Sequence, residues 1–167
     1  LLILAVPNAA RAQGATTVTF NGFAGLSLAA GSFGERNDAG YSLGAGVGAR
    51  QGLSPLAFRA EGMYNEYSQK FAGSKAHSTS LTGNAIYELL TDSKSGFVPY
   101  AIGGIGYYSS REPDPFFNVA TESNVGWNLG GGVRFPLSGF SVYAEARYHS
   151  VSNAGMQFAP IVFGVTF

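Results

Sequence analysis

The sequence predicts an all-β fold, an eight-stranded antiparallel up-and-down transmembrane β-barrel, and three observations predict it. Apolar residues alternate with polar or small ones along most of the chain after Val18, the period of a strand with two unlike faces. The connections between the alternating stretches are by turns short and long. Charge is scarce where glycine is abundant. Charged residues make up 12% of the 167, against about 25% in an ordinary soluble domain. The 24 glycines are about twice the usual share.

The same composition excludes several classes of function. Ten Lys and Arg balance ten Asp and Glu, so there is no basic footprint for nucleic acid. With no cysteine, disulfide scaffolds, thiolate metal sites and cysteine nucleophiles are ruled out. Aromatic residues at 14% are too many for a disordered chain. The length fits one domain.

In chain order, Leu1–Val6 is apolar and is followed by Ala10-Arg11-Ala12, the pattern of the back half of a secretory signal. The expected division is a signal remnant over 1–12 and a barrel domain over 13–167. No later stretch is long and apolar enough for a membrane helix. Strands are expected at 17–28, 40–50, 55–67, 78–90, 97–109, 123–135, 140–149 and 156–167. In the seventh, Phe140, Val142, Ala144, Ala146 and Tyr148 form one set, and Ser141, Tyr143, Glu145, Arg147 and His149 the other. No segment has convincing helical spacing. Short turns are expected at 51–54, 91–96 and 136–139, and longer loops at 29–39, 68–77, 110–122 and 150–155. That alternation gives a barrel two unlike ends, with both termini at the short-turn end.

Parity alone does not say which set faces inward, because a soluble barrel hides the apolar set and a membrane barrel displays it. Four features choose the membrane. The polar set is rich in glycine (Gly44, Gly46, Gly48; Gly126, Gly130, Gly132), which suits a narrow lumen better than a wet surface. The charges that fall within strands, Arg50, Arg59, Glu61, Glu88, Arg134, Glu145 and Arg147, lie on the polar set and nearly cancel, as charges enclosed together must. Aromatics of the apolar set gather in two rings. Phe20, Phe58, Tyr87, Phe97, Phe135, Phe140, Phe163 and Phe167 lie near the short turns, and Tyr41, Tyr64, Tyr107, Trp127 and Tyr148 near the long loops. The sequence also ends on Phe167, with Ile161, Phe163 and Val165 on its face.

The closing stretch Phe158-Ala-Pro-Ile-Val-Phe-Gly-Val-Thr-Phe167 resembles the C-terminal assembly signal of outer-membrane barrels. Val142-Tyr-Ala-Glu-Ala-Arg-Tyr-His149, Pro99-Tyr-Ala-Ile-Gly-Gly-Ile-Gly-Tyr107 and Gly126-Trp-Asn-Leu-Gly-Gly-Gly-Val-Arg134 are similar to strands of the small OmpA/OmpX-like barrels. The resemblance covers nearly all of 13–167. It implies an integral protein in the outer membrane of a diderm, Gram-negative bacterium. It also implies partners: outer-membrane lipid and lipopolysaccharide, and the barrel-assembly machinery that reads Ile161, Phe163, Val165 and Phe167. It implies no single activity, since the family spans structural proteins, adhesion and resistance factors and a few enzymes.

The expected function is therefore a structural or surface-interaction role without catalysis, in a monomer with no metal, cofactor or nucleic acid. The lumen set Arg50, Arg59, Glu61, Glu88, Arg134, Glu145 and Arg147 reads as an ion-pair plug, because eight strands leave room for little more than side chains. A narrow porin-like channel is the alternative. Arg neighbours keep Glu61 and Glu145 ionised and unsuited to general acid work. A lipid A-modifying enzyme is a third reading. Outer-membrane lipid A deacylases resemble this barrel in size and use a His-x-Ser pair facing lipid. Here Val151 stands two after His149, Ser152 stands three after it, and the parity of His149 points inward. The expectation is a polar histidine at the rim. Gly103-Gly104-x-Gly106 lies within a strand with no helix after it, so it is not a phosphate loop. In the third long loop Phe116 and Phe117 sit beside two prolines and are a possible contact for an unknown extracellular ligand.

Overall fold

The computed structural model describes residues 15–70, 75–89, 96–113, 119–152 and 155–167. The strands are β1 (Thr16–Ala30), β2 (Gly40–Gln51), β3 (Leu56–Ser68), β4 (Lys75–Glu88), β5 (Val98–Pro113), β6 (Val119–Pro136), β7 (Ser141–Val151) and β8 (Gln157–Thr166). Each pairs antiparallel with the next, and β8 returns to β1, so the eight-stranded barrel predicted from the alternation is the observed fold. Phe20 and Phe167 exchange both backbone hydrogen bonds, at 2.9 and 2.8 Å, and complete the seam. Closure leaves no unpaired edge, the condition for a sheet to stand in hydrocarbon.

The two faces separate as parity requires. Phe20, Leu26, Leu81, Ile105, Val125, Leu129 and Phe163 point outward, and Ile105 is 70% exposed. Such a continuous apolar surface is far larger than a soluble monomer displays. Both aromatic rings are on this outer face. At the short-turn end Phe97 meets Phe135 and Phe140 meets Phe167; at the other end Tyr41 meets Tyr64 and Trp127 meets Tyr148. Inward lie Asn21, Phe23, Arg59, Glu61, Asn65, Tyr67, Asn84, Tyr108, Asn128, Glu145, Arg147 and Phe158, all buried.

The structure differs from the expected elements in three places. β5 and β6 run through most of the anticipated loop 110–122, with Ser109 opposite Ser123, Arg111 opposite Thr121 and Pro113 opposite Val119. β4 starts at Lys75, three residues early. In both places the outward positions Lys75, His77, Ser109 and Arg111 are polar, so the apolar alternation stops while the backbone ladder continues. The third difference is a helix. α1 (Gly31–Arg36) occupies the first long connection. Six residues are too few to show helical periodicity, and its one buried anchor is Phe33. It starts at Gly31, whose φ of +57° favours glycine. The expected signal remnant 1–12, the turn 91–96 except Gly96, and the Phe116–Phe117 contact lie outside the described residues.

Candidate functional site

The lumen is the candidate site, and it is layered. At the short-turn end Arg50 of β2 and Arg134 of β6 both donate hydrogen bonds to the carboxylate of Glu88 on β4. Glu88 is only 13% exposed, and the two arginines are about one quarter exposed, at 26% and 28%. A cavity of about 260 Å³ opens beside them, with Thr17, Thr19, Thr166, Tyr100 and Tyr143 among its lining residues.

The middle layer is a buried quartet. Arg59 reaches Glu145 across the barrel (Nη2 to Oε2, 2.6 Å) and Glu61 on its own strand (Nε to Oε1, 3.0 Å). Arg147 reciprocates with Glu61 (Nη1 to Oε2, 2.8 Å) and Glu145 (Nε to Oε1, 2.8 Å). β3 and β7 are four strands apart in a ring of eight, so the pairs Arg59–Glu145 and Arg147–Glu61 span a diameter. Neutral donors complete the shell. Tyr100 donates to Glu145 (2.7 Å), Asn84 to Glu61 (3.1 Å), and Asn21 to Glu61 (3.3 Å). The Arg59 guanidinium also lies 5.5 Å from the centre of the Tyr143 ring, within range of a cation–π attraction. Charge that must leave water is tolerated when paired and hydrogen-bonded in this way.

The outer layer is aromatic. Phe23, Met63, Tyr67, Tyr108, Val151, Met156, Phe158 and Val162 form a buried cluster, and Phe33 of α1 descends onto it. The Phe33 ring stands edge-on to Tyr67 at 5.1 Å between centroids. The Tyr67 hydroxyl pairs with Ser27 Oγ at 2.7 Å. His149 is fully buried here, which corrects the expected rim position. Its ring stacks on Phe158 at 4.7 Å, and Nδ1 is 2.9 Å from the Tyr108 hydroxyl. β7 continues two residues past it to Val151, which places it inside the wall.

All seven charged residues singled out from the sequence therefore meet, but in two separate groups: Arg50, Glu88 and Arg134, and Arg59, Glu61, Glu145 and Arg147. Ile161, Phe163, Val165 and Phe167 share the outer face of β8 and its end, beside the β1 seam. The aromatic layer escaped sequence reasoning, although its signal was present. Phe23, Met63, Tyr67, Tyr108 and Phe158 share parity with the polar set. Large lumen side chains also lie over glycines. A β-carbon at Gly44 would strike the Phe23 ring, at Gly132 the Tyr100 ring, and at Gly164 the Tyr143 ring.

Beyond the outer aromatic ring, Glu66 on the outward face of β3 collects Lys75 Nζ at 2.5 Å and the hydroxyls of Tyr41 (3.1 Å) and Tyr64 (3.2 Å). The hydrogen bond from Lys75 holds the Glu66 carboxyl below its ordinary pKa.

A family model described as "Outer membrane protein beta-barrel domain" matches residues 1–167. The chain belongs to this family. Neisserial surface protein A has the same fold, with a TM-score of 0.67 at 17% identity over 91% of this chain and 97% of that one. The N-terminal β-barrel domain of Pseudomonas aeruginosa OprF gives 0.60 at 17% identity, over 93% and 99%. The outer-membrane enzyme PagL gives 0.53 at 16% identity, over 89% and 98%. No curated protein matches the sequence. The protein is an outer-membrane β-barrel of a Gram-negative bacterium. The barrel is shared by a surface protein and by an enzyme, so the fold alone assigns no activity.

Proposed function

We propose that this family member has a structural or surface-interaction role in the outer membrane, without catalysis, and that its lumen is plugged. The observation that supports the plug is the succession of buried layers: the paired quartet, the aromatic cluster above it, and the Phe33 cap. An eight-stranded barrel has an interior that side chains fill, and here the fillers are also bonded to one another. The apolar belt meets outer-membrane lipid. The cations Lys75 and Arg111 on the outward faces of β4 and β5 stand where lipopolysaccharide carries its anionic groups. During biogenesis the barrel-assembly machinery reads the outward row Ile161, Phe163, Val165 and Phe167. The mature protein acts as a monomer, and its loops are free to meet an extracellular ligand. His149 argues against a lipid-modifying enzyme, because it is enclosed in the lumen and faces away from lipid.

Planar-bilayer recording of the refolded barrel tests the plug. No steady conductance is expected, and a reproducible ohmic step would establish the narrow channel instead. Incubation with lipopolysaccharide is expected to leave its acyl chains unchanged; a released acyl chain would overturn the non-enzymatic reading.

A further inference from the structure

The described residues of the short-turn mouth hold more positive charge than their carboxylate can balance. Among the described residues the lumen carries four guanidiniums (Arg50, Arg59, Arg134 and Arg147) against three carboxylates (Glu61, Glu88 and Glu145). The quartet is neutral within itself, with two of each. Among the described residues the surplus therefore belongs to the mouth, where Arg50 and Arg134 share Glu88.

The arrangement around the ring is directional. Arg50 on β2 and Arg134 on β6 face each other across the barrel, and Glu88 approaches from β4, midway between them. The side opposite Glu88 belongs to β8 and β1. Thr166, Thr17 and Thr19 of these strands line the same 260 Å³ cavity. Each guanidinium has five N–H donors, and Glu88 accepts three hydrogen bonds from the two arginines among the described residues. Among the described residues, most of the N–H groups are left for another acceptor. A second set of oxygens entering between the arginines would complete the donor geometry and cancel the surplus charge. Walls of low dielectric strengthen that attraction.

We propose that this mouth is a binding site for a small oxyanion, a carboxylate or phosphate group, entering from the periplasmic side. Arg50 and Arg134 clamp it, and the three threonines donate from the β8–β1 wall. The short turns mark this end as periplasmic. The site goes beyond the plugged-barrel reading and does not depend on it, since the mouth lies below the quartet.

The test follows the arginine Nε–H signals by NMR in the full chain refolded in detergent micelles. Sodium phosphate and sodium acetate are titrated separately against sodium chloride at constant ionic strength. Saturable shifts at Arg50 and Arg134 are expected with one or both oxyanions, and the stronger titrant identifies the group preferred. Arg134→Gln should weaken binding by about tenfold or more, the scale of a lost hydrogen bond to a charged group. Thr19→Val keeps every charge and should weaken it by a smaller factor. Glu88→Gln frees both guanidiniums and should tighten binding. Heat-modifiable migration on a gel confirms that each variant is folded. Three results would overturn the site: no saturable shift with either oxyanion, an equal shift at Arg111 on the outer rim, or weaker binding in a folded Glu88→Gln barrel.

Discussion

Gly132 and Gly83 show how one residue type serves two surfaces. A β-carbon at Gly132 would collide with the ring and hydroxyl of Tyr100, which is committed to Glu145. Gly132→Ala should therefore cost about 1–3 kcal/mol, the usual penalty of overpacking a filled interior. Gly83 faces outward with nothing of the protein within 4 Å of the added carbon. Gly83→Ala should stabilise by about 0.5–1 kcal/mol, because glycine in a strand carries an entropic cost that alanine lacks. Urea unfolding in detergent compares the two variants, and equal effects would refute the division. Glu66 gives a prediction in pH. Its folded pKa lies below the ordinary 4.5 because it accepts the Lys75 hydrogen bond. The unfolded chain thus binds the proton first as pH falls, so the rim contact contributes fully above 4.5 and is lost as pH drops through the lower, folded value. Titration of the Glu66 carboxyl carbon by NMR should give a midpoint below 4.5, and Lys75→Gln should raise it.

At the scale of elements, the clearest signals in the sequence were those set by the membrane. β7 was legible from Phe140 to His149 because lipid on one side and a packed lumen on the other force strict alternation. The outer ends of β4, β5 and β6 were not. Between Ser109 and Arg111, opposite Thr121 and Ser123, both faces are polar, and a ladder held by backbone hydrogen bonds leaves no hydropathy trace. The charged lumen residues were legible as a set because a charge facing lipid would be costly. Their division into triad and quartet was not, since it depends on which strands lie opposite one another. α1 was invisible for a related reason: it is held by tertiary contacts, which leave no periodicity in six residues. It has no side-chain N-cap hydrogen bond, and it is held by Phe33 beneath it and by Ser32 Oγ donating to Gly155 O at 3.3 Å. Phe33→Ala should release the helix while the barrel stays intact. Limited proteolysis should then cut within 31–36 in the variant and not in the parent, with heat-modifiable migration unchanged. Loss of the barrel together with the helix would show that the cap supports the wall.

At the scale of the whole molecule, the barrel is closed twice. Backbone bonds close it around the circumference from β1 to β8, and the quartet ties it across the diameter from β3 to β7. The second closure has a price, because four charges are withdrawn from water into a space where Glu61, Glu145 and Arg147 are each at most 3% exposed. Their mutual attraction offsets that loss only while every partner is present. Arg147→Gln leaves Glu61 and Glu145 sharing Arg59 alone, and a buried carboxylate stripped of its partner is expected to destabilise the barrel by about 3–5 kcal/mol. Glu61→Gln should be similarly costly, for the inverse reason. Combining the two changes restores neutrality and leaves Arg59 paired with Glu145 across the same diameter. The double variant should therefore be more stable than the sum of the single effects allows, with a coupling of roughly 1–3 kcal/mol. Urea unfolding of the four proteins in detergent gives the cycle directly. Simple additivity would mean that Arg147 and Glu61 do not stabilise one another and that this pair does not brace the diameter.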